Sequence, residues 1–410
     1  MLEIGQSLLG ILCIFGVGYL LSSDRSLISW RVVGGAFAIQ LCIAALVLYV
    51  PAGKQALESV AEIVISVLGY AQAGMSFMFG DFASSNYGFV FALQVLPIIV
   101  FFASLVSVLY HLGIMERLVS LIGGFIQKAL GTTKAESMAA ATNIFIGQSE
   151  SPIAVKPFLS RMSQSEIFAV MVGGMATVAG SVLGGYAAAG VEMRYLLAAS
   201  FMAAPAGLMM AKLIRPELDH VTSDQADVHE DILEHRAVNV IDAAATGALQ
   251  GMQLAFAIGA LLLAFIALIA MINGMIGWAG GLFGFEGLTL QQILGVVFQP
   301  VAFLIGVPWE ETRQVGSLLG QKLMLNEFIA FLDFVANYQS GLTPRTQAIV
   351  TFALCGFACL SSIAIVVGGI GVLVPERREE MSQLGLLAVI AATLANLMSA
   401  TIAGLMLSFS

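Results

Sequence analysis

Apolar residues run through this chain in long blocks, and polar residues interrupt them at a few places. Blocks near 4–21, 32–50, 89–110, 167–189, 193–214, 250–276, 347–372 and 384–408 are each predicted to cross a bilayer, since a helix of roughly 20 apolar residues matches its hydrocarbon core. Residues 53–80 are different. Lys54, Glu58 and Glu62 fall between apolar residues, the pattern of an amphipathic helix lying along the interface. Residues 116–135 have a similar mixed character. Ahead of the first block there is only Glu3 and no Lys or Arg, so Ile4–Leu21 reads as a true first span and not as a cleaved signal.

Two stretches are too polar to span and too apolar to be loops. Residues 134–160 hold Asn143 and the run Gly147-Gln148-Ser149-Glu150-Ser151-Pro152. Residues 309–337 hold Gln321, Lys322, Asn326 and Glu327. Each has an apolar arm, a polar tip and a second apolar arm, which is how a re-entrant hairpin is written. Irregular backbone at membrane depth is tolerated only against protein or a water-filled cavity, so the two tips should line one. A long span with a small-residue interruption follows each hairpin. The first is interrupted at Thr177-Val178-Ala179-Gly180-Ser181 and the second at Gly356-Phe357-Ala358-Cys359-Leu360-Ser361-Ser362. The pattern of hairpin and broken helix thus occurs twice. The crossings 167–189, 193–214 and 250–276 lie between the hairpins, and an odd number puts the second hairpin on the opposite face, as an inverted repeat requires.

Composition agrees with this reading. Of 410 residues, 59% are apolar and 10% are charged, against about 25% charged in a soluble chain. The alternating ten-residue strands of a membrane barrel are absent. Residues 216–235 carry seven acids and no Lys or Arg, which accounts for most of the net charge of −9 and marks a solvated loop. No basic run points to nucleic acid. With the N-terminus outside, Arg25, Arg31, Arg117, Lys128, Lys134, Lys156, Arg161, Lys212, Arg215, Arg236, Arg377 and Arg378 lie inside. Lys54, Arg194, Arg313, Lys322 and Arg345 lie outside. The positive-inside rule favours that orientation. Cys13, Cys42 and Cys355 read as small buried hydrophobes. Cys355 and Cys359, one helical turn apart, are poorly placed for a disulfide. No metal-ligand spacing of Cys or His is present, and the four His fall at span ends or in the acidic loop.

Glu150 and Glu327 carry the chemistry. Ionisable groups at membrane depth are costly and mark substrate paths, although a carboxylate can also cap a hairpin helix. Neither has an Arg or Lys within three residues. Such carboxylates repel anions and accept charge-assisted hydrogen bonds from hydroxyls and amines, so the site suits a neutral hydroxyl-rich or amine-bearing solute. Gln148 offers one acceptor and two donors, which fits a nucleobase edge, an amide or a backbone bond at the tip. Gly147 allows close backbone approach. Asn143 and Thr177 supply neutral oxygens for a cation beside unwound carbonyls, or for a helix–helix hydrogen bond. Phe357 flanks a ring or packs, and Ser361 and Ser362 cap broken ends or face the solute. A carboxylate carrier would need an Arg in the broken segments. An intramembrane enzyme would need a nucleophile–base pair or metal ligands at depth. A channel is a further option, but paired hairpins on opposite faces favour alternating access.

Four stretches together resemble the concentrative nucleoside transporters. They are Gly147-Gln148-Ser149-Glu150, Gly306-Val307-Pro308, Gly320-Gln321-Lys322 leading into Asn326-Glu327-Phe328-Ile329-Ala330-Phe331, and Gly356-Phe357-Ala358 with Ser361-Ser362. The likeness runs through nearly the whole chain and includes the bacterial-type eight-span length. It implies an all-α polytopic membrane protein with eight transmembrane helices and two re-entrant hairpins. It also implies a homotrimer in the bacterial inner membrane that takes up nucleosides by alternating access on a cation gradient. The implied scaffold comprises residues 1–115 and 193–285, and the transport part residues 116–192 and 286–375, with a C-terminal span at 376–410. By the same resemblance Gln148 and Glu150 face the nucleobase and Val182 packs on it. Glu327 faces the ribose hydroxyls, with Phe357 and Ser362 nearby. Sodium is held by the Asn143 and Thr177 side chains and the carbonyls of Ile146 and Val178. Thr177 stands where Ser is common and keeps the hydroxyl. Proton-driven members tend to lack the Asn, so the likeness implies sodium as coupling ion and no other cofactor, with proton coupling or a nucleobase or other small polar solute as the alternative. One departure is clear. The family usually places a ribose-binding Asn after Gly-Phe-Ala, and here that position is Cys359, whose thiol is a weak donor and weak acceptor.

Overall fold

In lipid every backbone N–H and C=O must be satisfied within the segment, so the apolar blocks become helices. A computed structural model describes residues 2–83, 90–148, 151–217, 237–285 and 287–409, and among them there is helix and no strand. Glu150 and most of the acidic loop lie outside the described residues. The N-terminal part comprises α1 (Leu2–Leu20), α2 (Trp30–Ala44), α3 (Pro51–Gly69), α4 (Ala71–Phe79), α5 (Phe91–Gln94) and α6 (Leu96–His111).

A unit then appears twice. Its first copy is α7 (Ile114–Leu130), the hairpin arms α8 (Lys134–Asn143) and α9 (Lys156–Leu159), the broken helix α10 (Gln164–Ala176) and α11 (Gly180–Ala188), and the long α12 (Met193–Ile214). After α13 (Val240–Leu282) the second copy follows. It comprises α14 (Leu290–Leu304), hairpin arms α15 (Thr312–Met324) and α16 (Glu327–Asp333), broken helix α17 (Pro344–Leu354) and α18 (Leu360–Leu373), and the long α19 (Arg378–Leu407).

Local chemistry sets the boundaries. Capping boxes of Thr133 with Glu136 and Ser163 with Glu166 open α8 and α10, and a good N-cap contributes about 1 kcal/mol. The amphipathic helices α7 and α14 are followed by Gly131 at φ 75° and Gly306 at φ 102°, a left-handed backbone that costs glycine least. Outside the repeats, α6 and α13 pack closely. A Cβ on Gly247 would lie 2.8 Å from the Ala103 carbonyl oxygen, and one on Gly251 2.8 Å from the Val100 Cα. Ser104 and Ser107 donate to the carbonyls of Ala244 and Ala243, each at 2.8 Å. Small residues four apart and hydroxyl bonds are how membrane helices associate without a hydrophobic drive between them.

Burial separates centre from periphery. The most apolar windows within Gln164–Ala188 and Met193–Ile214 are 89% buried and that within Pro375–Leu407 is 78% buried, whereas those within Phe91–His111 and Val240–Leu282 are 17% buried. The centre is therefore α10–α12 and α19, the elements that carry the first break and its supports.

Five findings correct the expectations. Among the described residues, eight helical stretches are long and apolar enough to cross a membrane, but they are not the expected eight. Pro51–Ala83 meets the length and apolarity, while the interrupted span expected at 347–372 does break as anticipated, into α17 and α18, each too short to count by itself. The span expected at 250–276 is one 43-residue helix, about 64 Å long at 1.5 Å per residue. The helix α14 was not anticipated, because Gln291, Gln292, Gln299 and Pro300 keep it from looking like a span. Cys42 is exposed and Cys13 partly so, since apolar surroundings do not demand burial when the outside is itself apolar. Two of the basic residues used for orientation are not loop charges. Lys212 is buried in ion pairs with Glu136 and, at 3.0 Å, Glu217. Lys322 is also buried. Without them the charge bias keeps its sign.

Candidate functional site

A helix that breaks inside a protein leaves carbonyls at the end of its first half and N–H groups at the start of its second. Here two such breaks meet. The first runs through Thr177, Val178 and Ala179, and the second through Cys355 to Cys359. They are joined where the Phe357 N–H donates to the Thr177 carbonyl at 3.2 Å. The carbonyls freed at the two helix ends are taken by side chains from elsewhere. Asn396 of α19 donates through Nδ2 to the carbonyls of Ala176 (2.7 Å) and Cys355 (3.2 Å). Lys322 of α15 donates through Nζ to the Ala353 carbonyl (2.8 Å) and to Asn396 Oδ1 (2.7 Å). The Lys322 side chain is 3% exposed, and its charge sits at the C-terminal end of α17, where the helix dipole favours a cation.

The first hairpin tip docks on the first break. The Gly180 N–H donates to the Phe145 carbonyl at 3.0 Å, and a Cβ on Gly180 would lie 3.0 Å from that oxygen. Asn143, at the end of α8, is fully buried, yet neither atom of its carboxamide has a hydrogen-bond partner. It lies against α10, where a Cβ on Gly173 would come within 3.1 Å of Nδ2. Thr177 Oγ1 donates to the Gly173 carbonyl at 2.9 Å, which leaves its lone pairs unspent. An unpaired buried polar group costs about 1–3 kcal/mol. A neutral oxygen left in that condition beside an unwound helix fits a hard cation, which takes oxygen ligands.

Next along the chain, Gln148 is buried. Its Nε2 donates to Ser362 Oγ at 3.2 Å, and its Oε1 is without a partner. Ser362 Oγ also reaches the Phe357 carbonyl and the Cys359 thiol. Cys359 is buried, with its sulfur 3.2 Å from the hydroxyls of both Ser361 and Ser362. Glu327 opens α16 just after Asn326, whose side chain caps the helix by accepting from the Ile329 N–H at 2.9 Å. The positive charge of Lys322 acts on Glu327, whose own charge in turn acts on the neutral Cys359 thiol. Its Oε1 accepts from the Tyr186 hydroxyl at 2.9 Å. Val182 lies one turn before Tyr186 on α11 and is buried. Phe357 is half-buried in the second break. Gly147 and Ile146 are half-buried in the first tip, where a Cβ on Gly147 would be 3.3 Å from the Ala179 side chain, and Val178 is buried in the first break.

Every anticipated residue within the described part therefore lies on a hairpin tip, a break or the half-helix next to one. The site also contains residues that sequence reasoning passed over. Tyr186 and Asn396 are polar groups inside otherwise apolar spans, and that contrast was the available signal. In the sequence Lys322 reads as part of a polar tip and as a charge on the outer face, not as a group of the site.

Comparison with known proteins covers almost the whole chain. Models described as Na+ dependent nucleoside transporter N-terminus, Nucleoside recognition, and Na+ dependent nucleoside transporter C-terminus match residues 9–82, 92–193 and 195–404. The chain is 46% identical to the nucleoside permease NupC of Helicobacter pylori over 414 aligned residues, 98% of each protein. A solved double mutant of CNTnw in an outward-facing state superposes with a TM-score of 0.97 at 51% identity, covering 100% of both chains. CNTnw in an inward-facing substrate-bound state superposes at 0.94 and 52% identity, covering 100% of this chain and 99% of that one.

Proposed function

The chain belongs to the concentrative, Na+ dependent nucleoside transporter family, and from that premise we propose that it is a sodium–nucleoside symporter working by alternating access. The observation that carries the reading is the pair of unspent buried groups at the first hairpin tip, Asn143 and Gln148 Oε1. One is a cation ligand in waiting and the other an acceptor for a base edge. Asn143 and Thr177 would hold sodium with the carbonyls of Ile146 and Val178. Gln148 and Glu150 would meet the nucleobase above Gly147, with Val182 packed on it. Glu327 would accept from the ribose hydroxyls beside Phe357, Cys359 and Ser362. Because the two breaks are tied to each other and to both tips, filling the cation site would set the geometry of the nucleoside site, which is the linkage that coupled transport needs. Residues 116–192 and 286–375 would form the moving part against a scaffold of 1–115 and 193–285, with 376–410 as a closing span. The charge bias supports an N-terminus outside the bacterial inner membrane, and a homotrimer matches the large apolar surface left by α3, α6 and α13.

Radiolabelled uridine uptake into proteoliposomes, with and without an inward sodium gradient, tests the reading. Asn143→Ala should raise the sodium concentration for half-maximal uptake by about tenfold or more, the loss of one ligand to a charged group. Uptake that ignores sodium and follows a proton gradient would instead establish the proton-driven alternative.

The thiol in the ribose-facing position has its own expected result. Cys359→Asn replaces a weak donor by a side chain with strong donors and a strong acceptor. A gained neutral hydrogen bond is worth about 0.5–1.5 kcal/mol, so the KM for uridine should fall a few-fold to about tenfold. An unchanged KM would mean that this position does not touch the sugar.

A further inference from the structure

We infer that Tyr186 is a positioning residue that orients Glu327 for its hydroxyl-accepting role, an assignment that rests on the nucleoside reading above. The two residues come from different copies of the repeat. Tyr186 is on α11 of the first and Glu327 in the first turn of α16 of the second, 141 positions apart. Both are buried, and the phenol Oη lies 2.9 Å from Glu327 Oε1. The tyrosine docks on α16 as a whole. Its ring centroid is 4.5 Å from that of Phe331 and 4.9 Å from that of Phe328, so the ring is held by the same helix that carries the carboxylate. On the other side α11 packs against α3 and α6, where a Cβ on Gly184 would be 2.9 Å from a Leu68 side-chain carbon and 3.4 Å from one of Ile98. The hydroxyl therefore has little freedom to leave.

A phenol has one hydrogen to give, and here it goes to Oε1. That bond fixes the plane of the carboxylate and leaves Oε2 free of it, so the oxygen presented to a ligand is chosen before the ligand arrives. A glutamate has three rotatable side-chain bonds, and ordering such a chain on binding has an entropic cost. Tyr186 removes that cost in advance. Because Val182 is one turn earlier on α11, the helix packed beneath the base would also set the position of the ribose acceptor, and so the spacing between the two ends of the solute. Asn326 and Lys322 constrain the backbone and the charge around Glu327, but neither bonds its carboxylate.

The test is Tyr186→Phe, which keeps the ring between Phe328 and Phe331 and deletes only the hydroxyl. KM is measured in proteoliposomes for uridine and for 2′,3′-dideoxyuridine, which lacks both ribose hydroxyls that Glu327 would bind. The uridine KM should rise about tenfold, the scale of one hydrogen bond to a charged group, while the dideoxyuridine KM moves less than about twofold, so the ratio shifts. In a Glu327→Gln background the same substitution should change much less, because the charged acceptor it serves has become a neutral amide. An equal rise for both solutes, or an effect that simply adds to that of Glu327→Gln, would make Tyr186 a packing residue and overturn the assignment. Wild-type uptake of uridine with no change of ratio overturns the assignment alone. A wild type that takes up no uridine overturns the transport reading and the assignment with it.

Discussion

Lys322→Met is expected to lose uptake and a large part of the folded-state stability together. The methionine keeps the volume but takes the donor from two buried acceptors, the Ala353 carbonyl and Asn396 Oδ1. Each orphaned acceptor costs about 1–3 kcal/mol, together roughly 2–6 kcal/mol, against a total stability of about 5–15 kcal/mol for a typical domain. The melting temperature of the detergent-solubilised protein should fall by roughly 5–15 °C. Uptake should fall further than stability alone explains. The same substitution removes the positive charge acting on Glu327 and loosens the end of α17 next to the second break. Asn396→Ala should resemble it, and the double variant should be little worse than either single one, because the residues act as one network. An unchanged melting temperature in Lys322→Met would show that the ammonium contributes nothing where it sits.

Gly356→Ala should be as damaging for the opposite reason, an atom too many. A Cβ at this position would lie 2.3 Å and 2.6 Å from Asn396 Oδ1 and Nδ2, and 2.7 Å from the Ala176 carbonyl oxygen. Overpacking a well-filled interior costs about 1–3 kcal/mol when the neighbours can yield. Asn396 cannot yield cheaply, since it holds the Ala176 and Cys355 carbonyls and accepts from Lys322. We expect loss of most uptake and a clear drop in melting temperature. Gly368→Ala on α18, where a Cβ would meet nothing within 4 Å, is the control. It should be neutral or stabilising by about 0.5–1 kcal/mol, as alanine is favoured over glycine in a helix. Equal behaviour of the two variants would mean that the second break has more room than its contacts allow.

The pattern along the chain already carried much of this architecture. Desolvation makes charge and exposed backbone expensive in lipid, so a polar tip such as 147–152 or a small-residue break such as 177–181 stands out without any knowledge of the fold. The repeat of hairpin and broken helix, and residues such as Gln148 and Glu327, were legible for that reason. A short helix such as α14, with glutamines and a proline in it, has no such contrast with its surroundings and was missed. So was the difference between a loop lysine and a buried one. Lys212 and Lys322 look alike in sequence, and only their partners, Glu136 in one case and Asn396 in the other, reveal that both are interior groups.

By itself, then, the sequence determined the membrane class, the two broken segments and the few polar residues that mark a path for a neutral, hydroxyl-rich or amine-bearing solute, because these follow from the cost of placing each residue in lipid. Tertiary structure alone decided which polar groups pair. Lys322 meets Asn396 across 74 positions and Tyr186 meets Glu327 across 141. Nothing in local spacing encodes such pairings. They exist because two helices whose breaks meet leave carbonyls and N–H groups that must be satisfied by whatever the packing brings beside them.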